Sequence, residues 1–281
     1  MPELPEVETV RRGLAPAMEG RLIIRADVRR ADLRFPFPAR FAERLEGKTI
    51  THLGRKAKFL TATLSSGEML VMHLGMTGRF TVNAGKTAEF RYETGCDPKH
   101  DHVVLSVEDD TTITYNDPRR FGFMELWPVE SFGKYPRLVS LGPEPLSNSF
   151  NADYLNDALS GKQTPIKSAL LDQSIVAGLG NIYVCEALYR SKISPRRRAS
   201  TIPGKRSERL VPAINSVIAE AIEAGGSSIS DFASASGDLG YFQHRFAVYD
   251  REGYACRNCG GKIQRVVQSG RSTFFCSNCQ R

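Results

Sequence analysis

The chain lacks any apolar run near the roughly 20 residues that a membrane-spanning helix needs, which excludes a helical span and predicts a protein with no membrane partner. It also lacks a basic-then-apolar leader. An opening of Pro2-Glu3-Leu4-Pro5-Glu6 is unsuited to a secretory signal, so a soluble, cytoplasmic protein is expected. No internal repeat or low-complexity tract is present, which sets aside repeat architectures. The glycine signatures of nucleotide binding are missing too, so neither a nucleotide nor a redox cofactor is expected. Cysteine is scarce before position 256: only Cys96 and Cys185 occur there, and both are expected to be inert. Acidic residues are in deficit, with 31 Asp and Glu against 38 Lys and Arg, a net charge of +7. That balance favours a polyanionic partner, although solubility alone can produce it. With 281 residues and 41% hydrophobic content the chain can bury a core and is expected to form two domains.

What is present is concentrated at the two ends. Cys256-Arg257-Asn258-Cys259 and Cys276-Ser277-Asn278-Cys279 are paired C-x-x-C knuckles. Each knuckle turns two sulfurs towards one tetrahedral ion, so Cys256, Cys259, Cys276 and Cys279 are predicted to hold one structural Zn2+. Four protein ligands leave no open position for catalysis. Between the pairs, Lys262 to Val267 and Ser272 to Phe275 read as two strands around Gly270, with Arg265 and Arg271 projecting as phosphate contacts or as a solvated basic edge.

At the other end stands Pro2, behind the initiator. Removal of Met1 would expose a secondary amine beside Glu3, with Glu6 close in sequence. An α-amino group titrates near ~8, so a useful fraction is unprotonated at neutral pH. Attack by such an amine on a carbon bearing a leaving group gives a covalent iminium. Pro and Glu are equally good first-turn helix residues, and on Pro2 alone that reading stays open.

Leu4, Val7, Val10 and Leu14 recur at helical spacing, predicting a helix from near Pro5 to before Gly20. From Arg21 to Trp127 short β-rich runs follow, among them Phe59 to Leu64, Met69 to Met72, His102 to Val107, Thr112 to Tyr115 and Phe121 to Trp127. Such spacing suggests a sandwich or barrel. A catalytic domain is expected over 1–133, a linker over 134–150, a helical domain over 151–240 and a zinc finger over 241–281. In the helical part, Ala152 opens one helix, Thr164 caps another with Pro165 at its first position, a third runs from Asn181 to Tyr189 and a fourth from Ser207 to Ala224. Gly178 and Gly180 feed the third helix through a turn whose amides suit phosphate, with Lys167 upstream, or else they serve packing alone.

Two loops carry further chemistry. His73-Leu74-Gly75-Met76-Thr77-Gly78 sets an unbranched apolar side chain on a glycine-rich loop, and Asn116-Asp117-Pro118-Arg119-Arg120-Phe121-Gly122 sets guanidinium groups beside an aromatic ring. An apolar wedge with a planar cation suits the gap left by a base that has rotated out of a duplex. Taken alone, Met76 and Phe121 fit a core equally well, and Arg119 a surface charge. Lys58, in Gly54-Arg55-Lys56-Ala57-Lys58-Phe59, lies where a strand begins and can reach phosphate or sugar, or simply edge the strand.

Pro2 to Glu6, the Lys58 segment, His73-Leu74-Gly75-Met76, Asp117 to Gly122, Gly142-Pro143-Glu144-Pro145-Leu146, Gly178-Leu179-Gly180-Asn181-Ile182-Tyr183 and the zinc knuckles together resemble the bacterial formamidopyrimidine-DNA glycosylase family, in that family's order and from end to end. The resemblance implies an α+β protein: an N-terminal β-sandwich with an N-terminal helix, then a helix–two-turn–helix domain with a C-terminal four-cysteine zinc finger. DNA would lie in the cleft between domains. It implies a monomer acting on damaged double-stranded DNA, excising 8-oxoguanine and formamidopyrimidines and then cleaving the strand by β,δ-elimination.

In that resemblance Pro2 is the nucleophile, Glu3 the proton donor and acceptor, and Glu6 a second active-site carboxylate, with Lys58 assisting. Met76, Arg119 and Phe121 match the void-filling trio, with Arg119 facing the widowed cytosine. Lys167 and Asn181 match phosphate binders, and His100 is placed with the DNA contacts. Arg271 matches the finger's phosphate-contacting arginine and is counted with the catalytic set. The Ser- and Gly-rich segment from Ser227 to Tyr241 resembles a loop that closes over the extruded base. The endonuclease VIII branch, which prefers oxidised pyrimidines, is the nearer alternative, and Leu4 with the Arg119/Phe121 pair favours the purine branch. A non-enzymatic zinc-dependent DNA-binding protein is the more distant one, and intact Pro2, Glu3 and Lys58 argue against it.

Overall fold

The computed structural model describes residues 1–83, 97–227 and 241–281; Cys96 and residues 228–240 of the Ser- and Gly-rich segment lie outside them. The chain forms two compact units, Met1–Val139 with Gly225–Tyr241, and Ser140–Ala224 with Phe242–Arg281. Among the described residues no helix is long and apolar enough to cross a membrane.

The first unit begins with α1 (Leu4–Met18), whose Leu4, Val7, Val10, Leu14 and Met18 line one buried face. Glu3 and Glu6 close its start as a reciprocal capping box, and Pro5 sits in the first turn, where it has no helical bond to lose. Then come β1 (Ile23–Val28), α2 (Phe41–Leu45), β2 (Ile50–Lys56), β3 (Phe59–Leu64), β4 (Glu68–His73), β5 (Arg79–Asn83), β6 (Asp101–Val107), β7 (Thr112–Asn116), β8 (Phe123–Pro128) and a single helical turn, α3 (Pro136–Val139). The strands make two antiparallel four-stranded sheets, ordered β1-β6-β7-β5 and β2-β3-β4-β8. Val10 and Leu14 meet Ile23, Leu105 and Ile113 of one sheet and Leu53, Leu60 and Leu70 of the other in one core. Each such side chain withdrawn from water contributes about 1.5–3 kcal/mol. This is the expected sandwich with its N-terminal helix.

Strands β2 and β5 carry no clear signal in the sequence. In β2 only Ile50 and Leu53 are fully buried, over a burial pattern that does not alternate, and β5 is five residues long behind a glycine-rich loop. Phe121 and Gly122, expected to open a strand, lie outside β8.

The second unit is helical: α4 (Ala152–Leu159), α5 (Ile166–Leu171), α6 (Asn181–Arg190) and α7 (Lys205–Glu223), followed by the hairpin β9 (Gln264–Gln268) and β10 (Arg271–Phe275). Asn151 caps α4 by accepting from the Tyr154 amide at 2.9 Å. Pro165 is not the first residue of α5 but its N-cap. It stays extended because it bridges Arg198, while the Ile166 amide donates to the Arg197 carbonyl at 2.7 Å. Leu210, Val211, Ile214, Val217, Ile218 and Ala221 give α7 its buried face. Ser269 and Gly270, at φ 49° and 72°, form the two-residue turn of the hairpin.

Candidate active site and nucleic-acid interface

Electrostatics locate the N-terminal cluster. Burial lowers the pKa of the amino terminus on Met1 below its ordinary value of 8.0; Glu3 and Glu6 oppose this and the charges of Lys58 and Arg119 reinforce it. The Met1 amine therefore lies in the field of all four side chains, and burial enlarges its unprotonated fraction at neutral pH. Glu3, Glu6 and Lys58 are themselves buried, Lys58 with 7% exposure. Pro2 lies directly before Glu3, the N-cap of α1.

Two carboxylates organise the cluster. One Glu6 oxygen accepts from the Glu3 amide at 2.9 Å, and the other from the Ser227 amide at 2.8 Å and the Ser227 hydroxyl at 2.9 Å. Gly226, at φ 77°, packs so closely that an added Cβ would lie 3.1 Å from Glu6 Oε1. Lys58 sits in the turn between β2 and β3 beside Ala57, at φ 51°. Arg55 holds that turn by donating to the Ala57 carbonyl at 2.9 Å and to Glu8 at 3.2 Å. Burial alone would raise the pKa of Glu8, but hydrogen bonds from Arg11 and Arg12 and the charges of Arg11 and Arg55 bring it down to about 2.

The two loops expected to act as a wedge are joined by one buried carboxylate. Asp117 accepts from the Gly122 amide at 2.9 Å, from the Thr77 hydroxyl at 2.5 Å and from the Tyr115 hydroxyl at 3.3 Å. Thr77 Oγ1 in turn accepts from the Arg119 amide at 3.3 Å. Gly75, at φ 63°, lies against the other loop: an added Cβ would be 2.4 Å from Gly122 N. Met76 and Phe121 are not core residues, with 39% and 44% exposure, and the Arg119 guanidinium lies 4.7 Å from the Phe121 ring centroid. His100 ends a short 3-10 turn, and its carbonyl accepts from the Asp117 amide at 3.1 Å, next to the same loop.

His73 belongs to the wedge-loop motif but not to the expected site residues. Its Nδ1 accepts from the Gly75 amide at 3.0 Å, and its ring stacks on Phe123 at 5.4 Å. Burial, with Lys58, Arg34 and Arg137 adding positive field, lowers its pKa to about 4. It is thus a neutral imidazole whose Nε2 carries the proton, a donor beside the wedge loops. The roles of Asp117 and Ser227 escape sequence reasoning because their partners, Thr77 and Glu6, are distant in sequence.

In the second unit Lys167 is fully buried. Its Nζ donates to the Ser272 carbonyl at 3.0 Å and the Thr273 hydroxyl at 2.7 Å, and Asn181 Nδ2 donates to the same Ser272 carbonyl at 2.9 Å. The helical turn thereby grips the hairpin one residue from exposed Arg271. Gln173 shapes the turn, accepting from the Gly178 amide and donating to the Leu179 carbonyl, both at 2.9 Å. Arg271 groups with Lys167 and Asn181, in the unit that does not contain Pro2.

The sulfurs of Cys256, Cys259, Cys276 and Cys279 all lie within 4.8 Å of one another, with Cys256 to Cys279 at 3.9 Å and Cys259 to Cys276 at 3.5 Å. A tetrahedral ion with Zn–S bonds near 2.3 Å sets its sulfurs about 3.8 Å apart. The cluster fits one structural Zn2+.

Three family models match the chain: the formamidopyrimidine-DNA glycosylase N-terminal domain over residues 1–124, the formamidopyrimidine-DNA glycosylase H2TH domain over 141–233, and the zinc finger found in FPG and IleRS over 255–281. The formamidopyrimidine-DNA glycosylase of Ruegeria pomeroyi is 58% identical over 283 residues, covering 100% of both chains. Among solved structures, the MutM (FPG) protein from Thermus thermophilus has a TM-score of 0.85 at 39% identity, covering 99% of this chain and 98% of its own. The wild-type Lactococcus lactis Fpg bound to N7-benzyl-Fapy-dG containing DNA has a TM-score of 0.88 at 33% identity, covering 100% of both.

Proposed function

The chain belongs to the formamidopyrimidine-DNA glycosylase family, and from that premise we propose that it excises oxidised purines, 8-oxoguanine and formamidopyrimidines, through a Schiff base on Pro2. It is a base-excision repair DNA glycosylase with lyase activity at abasic sites, and its partner is damaged duplex DNA. One observation carries the mechanistic reading: the buried Glu3, Glu6 and Lys58 gather at the start of the chain, where the part-buried amino terminus of Met1, one residue before Pro2, lies in their field.

With Met1 removed, the Pro2 nitrogen attacks C1′ of the damaged nucleotide. The C–N bond to the base breaks, and the base departs with a proton. Glu3 passes the proton that opens the sugar ring, leaving an iminium between Pro2 and C1′. The iminium acidifies the C2′ proton; its removal expels the 3′ phosphate, and a second elimination expels the 5′ phosphate. Glu6, bonded to Glu3 N and to Ser227, holds the first turn of α1 in register for this attack. The lesion must first leave the stack, at a cost of a few kcal/mol. Met76, Phe121 and Arg119 fill the gap, while Arg271 and the Asn181 turn hold the backbone. Lys167, being buried, acts by fixing the hairpin that presents Arg271. A zinc ion held by Cys256, Cys259, Cys276 and Cys279 would have no open position for chemistry and would support the hairpin.

Borohydride trapping tests this on three duplexes: 8-oxoguanine opposite cytosine, dihydrothymine, and undamaged. A covalent band chiefly with 8-oxoguanine, lost when the amino terminus is acetylated, is the expected result. A band chiefly with dihydrothymine overturns the purine preference, and trapping that survives acetylation removes Pro2 as nucleophile.

A further inference from the structure

Helix α6 does more than present Asn181 at its first position. Its opposite end reaches the metal knuckles: the Tyr189 hydroxyl lies 3.3 Å from Cys256 Sγ. Tyr189 packs against the finger's small apolar core of Cys185, Val248, Cys256, Ile263, Phe274 and Cys276. One turn earlier on the same helix, the buried Glu186 carboxylate accepts from the amides of Ala247, Val248 and Tyr249 at 2.8–2.9 Å, fixing the chain that leads into the first knuckle.

A zinc-bound cysteine is a thiolate with no proton to give, so across a 3.3 Å contact the hydroxyl must be the donor. Such a hydrogen bond withdraws charge from the sulfur. It lowers the sulfur's reactivity towards protons and oxidants and holds its direction towards the metal, as outer partners of metal ligands do generally. A second donor reaches the other side of the cluster, Asn258 Nδ2 to Cys279 Sγ at 3.3 Å. Asn258 lies within the first knuckle and can only stiffen the finger itself. Tyr189 comes from the helical domain, so its bond couples retention of the ion to the seating of the finger on α6.

We propose that Tyr189 is a positioning residue of the zinc centre, donating its phenolic hydrogen to the Cys256 thiolate and thereby slowing loss of the ion. The proposal rests on the four-cysteine site and not on the lesion chemistry, so failure of the purine-excision reading would leave it standing.

The test uses the full-length zinc-loaded protein and Tyr189→Phe, which keeps the ring and its packing and removes only the hydroxyl. Both proteins should hold one zinc per chain, and the variant should release it to a chromogenic chelator about tenfold faster. In cobalt-substituted protein, the thiolate-to-metal charge-transfer band should move to lower energy in the variant, because an unbonded thiolate is the better electron donor. Equal release rates, or faster release with an unmoved band, would overturn the proposal; the latter would mean that the hydroxyl does not act through the Cys256 sulfur.

Discussion

His73 illustrates how one side chain's state is set by what surrounds it. Half-buried against Phe59 and Phe123 and facing the charges of Lys58, Arg34 and Arg137, it keeps a pKa of about 4 against an ordinary 6.5. The unfolded chain binds the proton more readily between those values. Its contribution is therefore complete above pH 6.5 and is lost as the pH falls towards 4. NMR of the imidazole nitrogens should find a neutral ring with a protonated Nε2 at about pH 6, titrating near 4; a midpoint near 6.5 would refute the neutral-donor assignment. The motif around His73 is visible in the chain, but its protonation state is not. That state depends on Gly75, Phe123 and Arg137 arriving from separate segments.

At the scale of elements, the proposed wedge is one object made of two loops, joined through Asp117 and through the close approach of Gly75 to Gly122. Gly75→Ala combines a left-handed φ with a backbone collision and should cost roughly 2–3 kcal/mol. Gly20→Ala, with a similar φ of 76° but no atom within 4 Å of the added Cβ, should cost about 1 kcal/mol. Denaturant midpoints of the two variants measure the difference, and equal losses would mean that the loops are not pinned at Gly75. The glycine pattern is legible in the chain. The reason for it is not, because the obstructing atoms belong to residues 121 and 122.

At the scale of the molecule, an excess of basic residues gives a net charge of +7. Binding to duplex DNA should weaken steeply between about 50 and 200 mM salt, since each phosphate contact contributes a slope of about 0.9 in log K against log salt. Arg271→Ala should reduce the slope by about that amount. Asn181→Ala should lower affinity and leave the slope unchanged, because the amide carries no charge. A slope unaltered by Arg271→Ala would remove that arginine from the phosphate contacts.

Four features of the chain were determined by order and spacing alone: the metal centre, the amphipathic α1, most strands of the sandwich and the glycine turn before α6. Each depends on residues close in sequence, whose geometry follows from helical or alternating periodicity or from knuckle spacing. Tertiary structure alone decided that Lys167 is spent inside the protein on Ser272 and Thr273, that Glu6 binds Ser227, and that Asp117 joins two loops. It also decided that Tyr189 reaches Cys256. These partners are between 40 and 221 positions apart, and no local pattern encodes them. Packing of the two sheets and of α6 against the hairpin brings them together, and burial then makes each polar contact obligatory.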